Sequence, residues 1–161
     1  MFAQFLPSFA AATVPASAAT DFYSGVVYGW VGADIKANMD VCFTEDQDLT
    51  DLVAKQMELV KKGASIQEQW PTIDAETKAF SEDIKSCSDD KDVMDAMKSM
   101  YDITNKFYAQ KDWKDVLEKN MEDNLHLIEA YAEMMTKAWG EGKYYESGKL
   151  GGLIDILLYK M

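Results

Sequence analysis

Two stretches of this chain follow one rule. Phe22-x-x-Gly25-x-x-x-Gly29 lies near its start and Tyr145-x-x-Gly148-x-x-x-Gly152 near its end. Glycines four residues apart line up along one side of a helix, where the missing side chains let another backbone come close. The shared spacing predicts two helices that pack on each other through Gly25, Gly29, Gly148 and Gly152. From Phe22 to Ala33, Ser24 is the only polar side chain that is not aromatic. A segment so short of polar groups belongs in the interior, so the first notched helix is expected to be the element the others surround.

The remaining periodicity is helical throughout, and no strand pattern competes with it. Asp21 can cap the first helix, which is expected to run to about Lys36, with Asn38-Met39-Asp40 as a turn into Cys42. Thr44-Glu45-Asp46-Gln47 fits a capping box for a second helix, with Leu49, Leu52, Val53, Met57 and Val60 on one face and Gly63 as its stop. Gly63 to Thr72 contains Trp70-Pro71 and reads as an irregular connection. A third helix from about Ile73 turns Phe80, Ile84 and Cys87 inward and its Asp, Glu and Lys residues outward. Ser88-Asp89-Asp90 caps a fourth that runs to about Ala109. A fifth is expected to be unbroken from Trp113 to Trp139, roughly seven turns. The second notched helix closes the chain. The fold expected is all-α, a single bundle of about six helices over residues 21–161, behind an extended apolar N-terminal tail, residues 1–20.

That tail has no charged side chain. Read as an export signal, it has an apolar middle and the cleavage-like Ala16-Ser17-Ala18, but no basic start, and Pro7 interrupts its apolar run. Read as mature chain, Pro7 and Pro15 favour an extended path, and Phe2, Phe5, Leu6, Phe9 and Val14 need a surface to cover them. That surface is either the chain's own domain or another copy of the chain. The prolines also cut the run short of the roughly 20 apolar residues a spanning helix needs, so no membrane span is expected. Ser8, Thr13, Ser17 and Thr20, set among alanines and two prolines, resemble O-glycosylation ground.

Charge narrows the partners. The formal net charge is −12, and the sixteen basic residues are all lysine. Phosphate binding needs a positive stripe and favours guanidinium, so nucleic acid is excluded as an expected partner. The single histidine, His126, cannot supply the paired Glu-x-x-His units of a two-metal bundle, and no nucleophile motif accompanies it. The acidic clusters at Glu45–Asp51 and Asp89–Asp95 lack the glycine and terminal glutamate of a calcium loop and read as helix starts. No metal and no cofactor are expected, and no enzyme. The aromatic residues Tyr23, Tyr28, Trp30, Tyr144, Tyr145 and Tyr159 suit core, protein interface or ligand pocket. Met94, Met97, Met100, Tyr101 and Trp139 would line an apolar-ligand site if the bundle were a carrier. Cys42 and Cys87 are either a disulfide in an oxidising compartment or two buried thiols in a reducing one.

The aromatic-x-x-Gly-x-x-x-Gly start at Phe22, the two cysteines, and the Tyr144-Tyr145-x-x-Gly148-x-x-x-Gly152 close resemble a group of small secreted two-cysteine helical proteins of ciliates and related protists. The resemblance covers most of residues 21–157. It implies export to an extracellular or secretory compartment, a Cys42–Cys87 disulfide and no assigned enzyme activity. Taken together, these features lead us to expect a structural or interaction protein whose partner is another copy of itself, joined through the tail into an open, filament-like contact. Carriage of an apolar small molecule or lipid is the alternative.

Overall fold

The structure is a computed structural model and describes residues 14–161. Among these residues the chain forms eight α-helices, one 3-10 turn and no strand. The helices are α1 (Ser17–Val31), α2 (Lys36–Cys42), α3 (Gln47–Lys61), α4 (Ile66–Asp83), α5 (Lys91–Tyr108), α6 (Trp113–Asp123), α7 (Leu125–Gly140) and α8 (Tyr144–Leu158), with the 3-10 turn at Ile84–Cys87. None of the described helices is long and apolar enough to cross a membrane.

Helix α1 is the axis of the molecule. On one side Ala19 and Val27 join Ile35, Met39, Leu49, Phe80, Val93 and Met97 in one core. On the other, Ala18, Phe22 and Val26 join Val53, Met57, Met135 and Trp139 in a second. The two glycine notches meet directly. A Cβ at Gly148 would stand 1.8 Å from the Phe22 carbonyl oxygen, and one at Gly25 2.1 Å from that of Tyr145. At Gly29 and Gly152 the corresponding distances are 2.2 Å to the Lys149 carbonyl and 2.3 Å to that of Val26. Phe22 lies against Gly148 and Val26 against Gly152, so position advances together along both helices and the pair is parallel. Two backbones approach this closely only where neither bears a side chain. Ser147 adds a cross-tie, its buried hydroxyl donating to the Met135 carbonyl of α7 at 2.8 Å.

Several boundaries differ from those read in the sequence. Helix α1 begins at Ser17, one turn before Asp21, because Ala18 and Ala19 are fully buried and draw that turn into the core. Asp21 instead pairs with Lys36 at 3.1 Å. The helix stops at Gly32, whose φ of 73° is left-handed and whose N–H donates to Tyr28. The expected turn at Asn38–Asp40 is helical, since after Gly32 the chain folds back to bury Ile35 and Met39. Helix α3 starts on Asp46, which accepts the Asp48 N–H at 2.9 Å.

The expected loop around Trp70-Pro71 lies mostly within α4. Ser65 and Glu68 close a reciprocal capping box there, at 3.2 and 2.7 Å. Pro71, five positions into the helix, gives up one backbone hydrogen bond at an exposed position, and the cap outweighs it. The long fifth helix is two helices. Asn124 turns its side-chain amide onto the Asn120 carbonyl at 2.9 Å, competing with the backbone ladder, and α7 restarts beyond it. Helix α6 has no buried residue and is held at its far end by Asn120, which donates to the Leu158 and Lys160 carbonyls at 2.8 and 2.7 Å.

Cys42 and Cys87 form a disulfide with a Cα–Cα distance of 4.9 Å. It joins the end of α2 to the 3-10 turn that follows α4.

Candidate functional site

Two regions depart from an ordinary core and surface. The first is the root of the N-terminal tail. Phe2, Phe5, Leu6, Phe9, Ser8 and Thr13 lie outside the described residues. Val14 is described, and it packs against the second core. Its carbonyl accepts from Gln47 at 3.3 Å, and the Ala16 carbonyl accepts from the Thr50 hydroxyl at 2.9 Å. The same Thr50 oxygen takes the Ala19 N–H at 3.2 Å. The chain is therefore fixed to the start of α3 from Val14 onward, seven residues earlier than the domain boundary read in the sequence. The cleavage-like Ala16-Ser17-Ala18 sits inside this anchored stretch. Thr20, at 4% exposure, faces inward from the first turn of α1, which corrects its reading as a glycan acceptor; Ser17 stays partly exposed.

The second region is the seam along which α4 lies on the rest of the molecule. Its buried positions are Thr72, Glu76 and Phe80, spaced by four on one face. Glu76 thus points inward, where the sequence reading had all the acids of this helix facing out. One of its oxygens accepts from the Tyr23 hydroxyl of α1 at 3.0 Å, and the other, Oε1, is buried without a partner. Burial pushes the Glu76 carboxyl up to about 8; the Tyr23 hydrogen bond opposes this and the nearby Asp155 of α8 adds to it. Asp155 is itself raised by burial, to about 7. At the C-terminal end of α4, Asp83 is pushed up to about 6 by burial and by its contact with the Asp46 carboxyl. Its Oδ2 is also buried and unpartnered. Between α3 and α4, Gln56 donates to Gln69 at 2.6 Å and leaves its own Oε1 unpartnered. Tyr23 stacks on Phe80 with ring centroids 4.4 Å apart, and Phe80 on Phe43 at 5.8 Å.

Other expected site residues are dispersed. Met94, Met97 and Met100 belong to the first core and Trp139 to the second, while Tyr101 is half exposed, so the five do not line one space. His126 is exposed on α7. No cluster of three or more metal-binding side chains occurs among the described residues. The aromatics at the notch divide their roles: Trp30 stacks on Tyr159 at 5.4 Å, while Tyr28 lies near Tyr145 with the Lys149 ammonium 5.1 Å from the Tyr28 ring. A groove of about 560 Å³ between α3 and α7 is lined by Val60, Ala132 and Gly140 together with Lys61, Glu129, Glu133 and Lys137.

The seam was detectable in principle. Thr72, Glu76 and Phe80 stand in register, and Asp155 interrupts the apolar run from Leu153 to Leu158. An acid at a core-facing position of a helix is the signal that sequence reasoning passed over.

No protein-family model, no curated protein and no solved structure matches this chain.

Proposed function

We propose that the protein is a non-enzymatic structural protein, exported to an oxidising compartment, that self-associates through its apolar N-terminal segment. One observation carries this reading. The described fold is fixed to the start of α3 at Val14 and Ala16, and the thirteen residues that precede Val14 in the sequence carry no charge and include Phe2, Phe5, Leu6 and Phe9. Phe2, Phe5, Leu6 and Phe9 would be covered by a second copy. A segment donated from each subunit to the next gives a heterologous contact that continues as an open chain of subunits. The Cys42–Cys87 disulfide supports the compartment, since such bonds persist where thiols are not kept reduced.

The test is a variant lacking residues 2–13, compared with the full chain by light scattering and electron microscopy across a concentration series. Association of the full chain that disappears in the truncated protein, with thermal stability unchanged, is the expected result. Equal association of the two would remove the segment from the role given to it.

A further inference from the structure

We propose that α4 is a pH-released strap, seated on α1 and α3 while the carboxyls of its seam hold protons and loosened when they lose them. The geometry comes first. Three of the four buried, unpartnered side-chain oxygens among the described residues, those of Gln56, Glu76 and Asp83, lie along this one helix's seat. Only three side chains of α4 are buried, and one of them is the Glu76 carboxyl. A seat of this kind gains little from apolar burial and depends on the state of its acids.

The charges facing these acids all have the same sign. Glu76 accepts from the Tyr23 hydroxyl of α1, and the charge of Asp155 on α8 acts on it through space. Asp83 is met by Asp46 at the start of α3 and by Glu82 on its own helix. No cation contributes to the environment of Glu76, Asp83 or Asp155 among the described residues. The lysines nearest in sequence, Lys78 and Lys85, turn outward to Asp74 at 2.9 Å and to Glu82 at 2.8 Å. When the carboxyls ionise, the seam carries like charges in a poorly hydrated space, and separating the helix from its seat relieves them.

The fold gives such a movement its ends. Gly63, with φ of 71° and open space around it, lies ahead of α4. Behind the helix, Cys87 is tied to Cys42, so the far end stays attached when the helix lifts. What opening uncovers is the aromatic ladder of Tyr23, Phe80 and Phe43. The acids involved are raised to about 6, about 7 and about 8, which places the release between mildly acidic and mildly alkaline pH. This inference is independent of the role given to the N-terminal segment.

Hydrogen exchange by mass spectrometry on the full chain, at pH 5.5 and pH 8.5 and corrected for the intrinsic pH dependence of amide exchange, tests it directly. Peptides covering Ile66–Asp83 should lose protection by about tenfold or more at the higher pH, one pKa unit of coupling being tenfold. Peptides of α1 and α8 should change far less. The variant Glu76→Gln keeps an acceptor for Tyr23 but cannot ionise, and its α4 should stay protected at both values. Asp155→Asn serves as a second variant and should reduce the loss. The proposal is overturned if α4 is equally protected at both pH values, if all helices lose protection in step, or if both variants lose protection as the parent does.

Discussion

Replacing Gly148 with alanine adds one methyl group at the tightest point of the molecule. The new Cβ would sit 1.8 Å from the Phe22 carbonyl oxygen and 3.0 Å from the Val26 nitrogen, both backbone atoms that no rotamer change can move aside. Restoring an ordinary carbon–oxygen contact of about 3.3 Å requires α1 and α8 to part by roughly 1.5 Å, and a gap of even ~1 Å forfeits up to half of each dispersion contact along the seam. Overpacking of a rigid core costs about 1–3 kcal/mol and at times more, while alanine regains about 1 kcal/mol of helix propensity over glycine. With the clash on backbone, we expect a net loss of about 3 kcal/mol, or roughly 6–12 °C in Tm for a chain of this size. Gly140 is the control. It ends α7, and a Cβ there meets nothing within 4 Å, so Gly140→Ala should hold Tm or raise it by about 1–3 °C. Thermal unfolding followed by circular dichroism reads both. A Gly148→Ala protein melting at or above the parent temperature would mean that the two backbones do not touch as described.

Three further outcomes follow from the same packing. Reduction of the Cys42–Cys87 bond, or a Cys42→Ser and Cys87→Ser double variant, should lower stability by about 4 kcal/mol for a separation of 45 residues, read as a lower denaturant midpoint; an unchanged midpoint would refute this. Removing the Ser147 hydroxyl with Ser147→Ala leaves the Met135 carbonyl without that donor and should cost about 1–2 kcal/mol in chemical denaturation. Stability should also fall with rising pH. The Glu76 carboxyl is raised in the folded state, so the stability its protonated form confers is complete below the unfolded value near 4.5 and is lost as pH rises through about 8. That displacement corresponds to about 5 kcal/mol as a ceiling. The denaturant midpoint should therefore be higher at pH 5.5 than at pH 8.5, and Glu76→Gln should flatten the difference.

What the sequence made legible, and what it hid, divides along physical lines. The glycine notch, though not the parallel direction of its helices, was visible because close backbone approach demands glycine at a fixed spacing, and few other constraints write that pattern twice. The helix start at Asp90 was visible because its side chain replaces a missing backbone partner locally, whereas the start read at Thr44 falls two residues early, the cap being Asp46. The break at Asn124 was not, since an apolar stripe continues across it and the competing side-chain bond leaves no periodic trace. Pro71 pointed to a loop, and the capping box begun six residues upstream at Ser65 prevailed. Glu76 was assigned to the surface by its type, whereas its register with Thr72 and Phe80 places it in the seam. Residue chemistry alone thus misplaced the acid, and helix geometry located it.

The claim most in need of measurement is that each subunit's N-terminal segment is donated to a neighbour. Sedimentation velocity on mixtures of full-length chain and the variant lacking residues 2–13 tests it. A truncated subunit can accept a segment but cannot offer one, so adding it to the full-length protein should end growing assemblies and shift the distribution toward smaller species as its share increases. A distribution of the full-length protein that is indifferent to the truncated partner would contradict the account.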